Sequence, residues 1–117
     1  KVIDCSAYVS WVLYKLGYQE FGTQKSSSWF KSNGKKLCDK YGWQMITPVN
    51  SSTLQPGDIL VVYGKYINGK LQHHVEIYAG NGRSYSCGST SSIRADTVKT
   101  NFSRYDFALR VTGRGGN

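Results

Sequence analysis

The stretch "HHVEIYAGNG", residues 73–82, determines the fold class of the C-terminal half of the chain. Side chains alternate along it: His74, Glu76 and Tyr78 belong to one face of a strand, and the apolar residues between them belong to the other. Asn81-Gly82 follows, a pair typical of tight hairpin turns. The stretch therefore predicts a β-strand that turns directly into an antiparallel neighbour.

More strands are predicted on both sides of this stretch. Upstream, "LQPGD" (54–58) is typical of a turn, "DILVVYG" (58–64) is rich in β-branched residues, and Asn68-Gly69 signals another hairpin. Further strands are predicted at "GWQMIT" (42–47), "RSYSC" (83–87), 91–98 and 105–111. "GRGGN" (113–117) is predicted to be a flexible tail or linker.

The N-terminal third has the periodicity of helices. Apolar residues recur at helical spacing through residues 4–17, Asp4 is a suitable N-cap, and Gly17 a suitable C-cap. A short second helix is predicted to begin at Ser26–Ser28, to break at Asn33-Gly34, and to resume for a turn or two before Gly42. Helices followed by strands predict an α+β domain in which the first helix packs on an antiparallel sheet of about five strands.

Composition narrows the function. The 117 residues suit one domain, and the net charge of +8 suits either a soluble basic surface or an anionic partner, namely nucleic acid, a membrane or an anionic bacterial wall. The basic residues are scattered and match no nucleic-acid-binding pattern, so we expect no nucleic-acid partner. No apolar run reaches the length of a membrane span.

Cys5 has four interpretations: a buried apolar residue, half of a disulfide, a metal ligand, or a nucleophile. The three cysteines, Cys5, Cys38 and Cys87, show no spacing typical of zinc sites, so no metal or other cofactor is expected. Cys38 and Cys87 could form a disulfide with each other in an extracellular setting. In the first turn of its helix, the Cys5 thiolate would be stabilised by the free N–H groups and the helix dipole. His74, at the start of the alternating strand, is a candidate general base.

Together, "DCSAYV" (4–9), "LQPGDILVV" (54–62) and "HHVEIYAGNG" (73–82) resemble the three sequence blocks of the NlpC/P60 superfamily of cell-wall cysteine peptidases. The resemblance implies a papain-like α+β fold and hydrolysis of peptidoglycan stem peptides between γ-D-glutamate and a diamino acid. It implies Cys5 as nucleophile and His74 as base. The third polar residue of the family, which is usually a histidine, falls on Ser86.

Three more residues are assigned to substrate binding under the resemblance: Asp4, Ser6 and Glu76. Asp4 and Ser6 flank the nucleophile, and each could instead cap the helix. Glu76 replaces the more common glycine and lies on the His74 face, where it could raise the pKa of His74 or bind a cationic group of the substrate. The residues alone favour an exposed strand carboxylate at this position.

The resemblance also sets expectations for the whole protein. Residues 1–112 are predicted to form the catalytic domain, without the family segment that precedes the nucleophile block. We expect a monomer of bacterial or phage origin that acts outside the cell or on the wall, with peptidoglycan as its partner. Two alternatives stay open: an N-acetylmuramoyl-L-alanine amidase, and a catalytically weak wall-binding module.

Overall fold

The computed structural model describes residues 5–85 and 97–112. Two α-helices and six β-strands lie in these ranges: α1 (Cys5–Lys15), α2 (Ser27–Tyr41), β1 (Gln44–Ile46), β2 (Ile59–Ile67), β3 (Lys70–Gly80), β4 (Arg83–Tyr85), β5 (Thr97–Lys99) and β6 (Phe107–Arg110). Short 3₁₀ turns occur at Gln19–Gly22 and Phe102–Arg104. No helix in the described ranges is long and apolar enough to cross a membrane.

The six strands form one antiparallel sheet in the order β1-β6-β2-β3-β4-β5. β2 and β3 are the longest strands and lie at its centre, joined by the Asn68-Gly69 turn. Both predicted Asn-Gly turns are confirmed, because all four residues have the positive φ angles that tight hairpin turns require. The α+β prediction is confirmed, with six strands where about five were expected.

Each face of the sheet has its own hydrophobic core, as the alternation in β3 predicts. Val75 and Ile77 lie in the core between the sheet and the helices. Tyr78 lies in the second core, which the loop before β2 and the 3₁₀ turn before β6 cover. The buried residues of the second core are Leu54, Leu60, Val62, Tyr78, Tyr105 and Ala108. Glu76, which alternates with Val75, therefore belongs to the face opposite the helices. His74 lies on the same side of the strand, but it also lines a pocket together with the first turn of α1.

The first helix ends where the sequence predicts. Gly17 has a φ of 104°, and the Tyr18 N–H donates to the Leu13 carbonyl at 3.1 Å, which closes a left-handed C-terminal cap. Val9 and Leu13 are buried against the sheet, as the apolar periodicity predicts. Leu16 is an exception, because half of its surface is exposed.

The predicted break in the second helix is wrong: α2 continues through Asn33 and Gly34. The Asn33 side chain does not redirect the backbone but donates to the Trp29 carbonyl one turn earlier, at 2.9 Å. Gly34 is buried where the Phe107 ring meets the helix, so closely that a Cβ atom would lie 2.7 Å from the ring. The glycine therefore serves close packing against β6. The predicted caps are confirmed, with Ser26 at the start and Gly42 at the end.

A buried ion pair holds the loop before β2 against the sheet. Asp58 is 1% exposed, and its carboxylate accepts from Arg110 Nε at 2.9 Å and Nη2 at 2.8 Å. Arg110 Nη2 also donates to the Thr53 carbonyl, and Asp58 accepts from the Gln55 N–H, so the turn "LQPGD" is anchored to β6.

Several predictions lie outside the described residues: the Asp4 cap, the strand residues after Tyr85, most of the strand predicted at 91–98, and the tail at 113–117. The described parts of the C-terminal strands agree with prediction, since β4 and β5 pair with each other and β6 lies within the segment 105–111.

Candidate active site

A pocket of about 150 Å³ lies where the first turn of α1 meets β3. Its lining residues are Cys5, Ser6, Ser27, His73, His74 and Val75. The fold thus brings together predicted site residues from two distant parts of the chain, Cys5 and Ser6 from one and His74 from the other. A larger depression of about 470 Å³ is lined by residues 99–103, which include no cysteine or histidine.

Packing and one hydroxyl place the first turn of α1. Val9 and Leu13 anchor the helix in the core on its side of the sheet. The buried Ser10 hydroxyl donates to the Ser6 carbonyl at 2.8 Å and accepts from the Lys25 N–H at 3.0 Å. This hydroxyl ties α1 to the segment that leads into α2. The first turns of both helices consequently border the same pocket.

The two described cysteines, Cys5 and Cys38, differ in chemical state. Cys5 is disulfide-bonded. Cys38 is a free thiol, so the disulfide considered between Cys38 and Cys87 is not formed. Burial raises the pKa of the Cys38 thiol, and the neighbouring Asp39 carboxylate adds to this effect. Cys38 is therefore a poor nucleophile, and a thiol reaction in the pocket depends on reduced Cys5.

His74 is partly exposed, with 27% of its side chain accessible, and one ring nitrogen is already engaged. Its Nε2 lies 3.0 Å from Oε2 of Glu76. Both histidines, His73 and His74, line the pocket beside Cys5. His73, on the opposite side of the strand, stacks at a tilt on Tyr63, with ring centroids 4.7 Å apart.

Glu76 is not the exposed carboxylate that the residues alone favour, because only 6% of it is accessible. The Tyr105 hydroxyl donates to its Oε1, and Arg104 Nη2 lies 3.6 Å from the same oxygen. Burial alone would raise the pKa of the Glu76 carboxyl. Hydrogen bonds from His74 and Tyr105, together with the positive charges of His74 and Arg104, outweigh burial and lower this pKa.

A comparison against models of protein families bears on the pocket that α1 and β3 form around Cys5 and His74. The model of the NlpC/P60 family matches residues 1–111. The chain belongs to the NlpC/P60 family. Members of this family are cysteine peptidases that act on the peptides of the cell wall, so the substrate class of this NlpC/P60 domain is peptidoglycan and its place of action is outside the cytoplasm. Comparisons with curated proteins and with solved structures found no match.

Two residues of the predicted site, Asp4 and Ser86, lie outside the described part of the NlpC/P60 domain. Sequence reasoning missed Tyr105 and Arg104, which hold the Glu76 carboxylate, and Ser27, which lines the pocket. No sequence signal identifies Tyr105 as a partner of Glu76. The two residues meet because β6, which follows Tyr105, pairs with β2, and β2 pairs with β3. Ser27 could have been suspected, since helix N-termini point free N–H groups toward polar sites.

Within residues 5–85 and 97–112, no group of three histidine, cysteine or acidic residues could hold a metal ion. The pocket of this NlpC/P60 domain does contain the Cys5 sulfur at a helix N-terminus and the His74 imidazole, whose Nε2 contacts the Glu76 carboxylate. Those are the groups that nucleophilic acyl transfer needs.

Proposed function

We propose that this domain is a γ-D-glutamyl–diamino acid endopeptidase, with Cys5 as nucleophile and His74 as general base. The observation that carries the proposal is the shared pocket, which is lined by the first turn of α1 with Cys5 and by the start of the alternating segment of β3 with His74. The bond specificity rests on the family resemblance.

Reduced Cys5 gives its proton to Nδ1 of His74, and its sulfur bonds to the carbonyl carbon of the scissile peptide. The backbone N–H of Cys5, at the N-terminus of α1, donates to the oxyanion. His74 then protonates the leaving amine, and the thioester remains on Cys5. Water, deprotonated by His74, attacks the thioester and releases the acid and the thiol.

Ser6 and Asp4 are proposed to contact the stem peptide beside the nucleophile. Ser6 lines the pocket, which supports this role. The +8 net charge favours contact with the anionic polymers that accompany peptidoglycan.

The test is loss of turbidity of purified cell walls in the presence of dithiothreitol, with wild type, Cys5→Ala and Cys38→Ala compared. We expect lysis by wild type and Cys38→Ala, and a loss of at least about 1,000-fold in Cys5→Ala, because the nucleophile is removed. Iodoacetamide should alkylate Cys5 before Cys38, whose pKa is raised by burial. Equal lysis by wild type and Cys5→Ala would overturn the mechanism.

Product analysis separates the candidate reactions. New amino termini on a diamino acid support the endopeptidase, and new amino termini on L-alanine would assign the domain as an amidase instead. Wall binding without any new terminus, in reduced wild-type protein, would identify a binding module.

A further inference from the structure

Glu76 lies two residues after His74 on β3, so both side chains leave the same face of the strand about 6.6 Å apart along it. The side chains lean together, and His74 Nε2 approaches Oε2 to 3.0 Å. The contact between His74 and Glu76 therefore forms within β3 alone.

The rest of the protein holds the carboxylate in place. Its second oxygen accepts from the Tyr105 hydroxyl, which also accepts from Arg104 Nη2 at 2.7 Å. The Arg104 guanidinium lies over the Tyr105 ring at 4.9 Å. Both oxygens of Glu76 are thus engaged inside the protein, and Glu76 does not line the pocket. A carboxylate in this position acts on His74 rather than on substrate.

An ionised carboxylate only accepts hydrogen bonds, so its neighbour nitrogen must carry a proton. Neutral His74 is therefore held with its proton on Nε2 and its lone pair on Nδ1, the nitrogen that must accept the thiol proton. The carboxylate also stabilises the imidazolium that forms when this proton is taken up.

We propose that Glu76 is the positioning residue of His74 and takes the role that the family pattern assigns to Ser86. This inference rests on the proposed function of His74. A hydroxyl at position 86 would be a neutral and weaker acceptor, whereas the Glu76 contact is charge-assisted. Tyr105 and Arg104 complete the unit by fixing the carboxylate.

The direct test is the tautomer of His74, read from long-range ¹H–¹⁵N spectra at an alkaline pH above which the histidine signals no longer change. The chain has only two histidines, so a His73→Gln variant assigns the signals. We expect the Nε2–H tautomer in the wild type. In Glu76→Gln the side-chain amide can donate to Nε2 and still accept from Tyr105, so we expect a shift toward Nδ1–H.

Glu20→Gln is the matched control. The Glu20 carboxylate also accepts from a tyrosine hydroxyl, that of Tyr41, and pairs with a cation, Lys40 at 2.8 Å, but it contacts no histidine in the described structure. Its replacement should leave the His74 tautomer and the turnover unchanged.

Kinetics on a soluble stem peptide provide the second measurement. With reduced enzyme we expect kcat to fall by roughly 100-fold to 10,000-fold in Glu76→Gln, as for a base held in the wrong tautomer, while KM changes less than about threefold. Tyr105→Phe keeps the His74–Glu76 contact and should lose only about tenfold, through a less firmly held carboxylate.

An Nδ1–H tautomer in the wild type would overturn the proposal whether or not Glu76→Gln folds. So would an unchanged tautomer in folded Glu76→Gln, or a Ser86→Ala variant that loses more kcat than Glu76→Gln. If no variant or wild-type protein cleaves stem peptides, the proposed function fails, whereas the tautomer result still decides the role of Glu76.

Discussion

At the residue scale, Cys5 and Glu76 determine what the site can do. Cys5 lies at the first turn of α1, where the helix dipole and free N–H groups favour a thiolate, but its sulfur is in a disulfide. Glu76 is ionised and buried beside the base. Under the proposed roles, the nucleophile depends on redox state, and the base depends on a carboxylate.

Redox state should control activity. A sulfur in a disulfide cannot attack a carbonyl, so wall hydrolysis by oxidised protein should rise more than about tenfold on addition of dithiothreitol. Cys38→Ala should show the same activation, because Cys38 is a free thiol. Full hydrolysis without reductant, by protein in which mass mapping shows the Cys5 disulfide intact, would contradict this prediction.

Acid should weaken the fold through Glu76. Its native pKa is lowered from the ordinary 4.5, so the charged carboxylate stabilises the fold above that value. This contribution is lost as the pH falls through the native pKa, below 4.5. The difference in free energy of unfolding between wild type and Glu76→Gln, from urea titrations at about pH 6 and about pH 3, should therefore become smaller in acid. A constant difference would show that the carboxylate is not stabilised.

At the element scale, local sequence patterns predict most helices and strands. The predictions are wrong where tertiary contacts determine the structure. Alternation in β3 and the two Asn-Gly pairs predicted the central hairpins, because turn geometry and burial act locally there. The break predicted at Asn33-Gly34 was wrong, because the glycine serves contact with Phe107, which no local pattern encodes. The burial of Glu76 could not be predicted for the same reason: its cover comes from Tyr105.

Gly34→Ala tests that contact. In a helix interior, replacing Gly by Ala normally raises the free energy of unfolding by up to about 1 kcal/mol. Here the new methyl group would lie 2.7 Å from the Phe107 ring, and such overpacking lowers the free energy of unfolding by about 1–3 kcal/mol. We expect a net loss of about 1–2 kcal/mol in the free energy of unfolding, measured in urea. In a Phe107→Leu background the same change should cost less. A stabilised Gly34→Ala protein would show that the ring yields easily.

At the scale of the whole molecule, the +8 charge is proposed to draw the domain to the anionic polymers that accompany peptidoglycan. Attraction between exposed charges is screened by salt, with a Debye length of about 10 Å at 0.1 M and about 3 Å at 1 M. Charge is thus expected to concentrate the domain on the wall, whereas the pocket selects the bond.

Wall binding should therefore depend on salt. Cys5→Ala protein, which binds without cutting, should co-sediment with walls several-fold less at about 0.5 M NaCl than at about 0.05 M. Walls stripped of their anionic polymers provide the control and should retain little salt dependence. Identical binding at both salt concentrations would mean that contacts in the pocket, rather than net charge, hold the domain on the wall.

The placement of His74 and Glu76 on one strand has an evolutionary consequence. If a base and the acid that orients it lay on separate strands, a mutation that shifts either strand would separate them. Here both lie on β3, and a single substitution at position 76 is enough to supply the acid. Under the proposed role of Glu76, position 86 is released from selection for an orienting side chain and becomes free to acquire other chemistry.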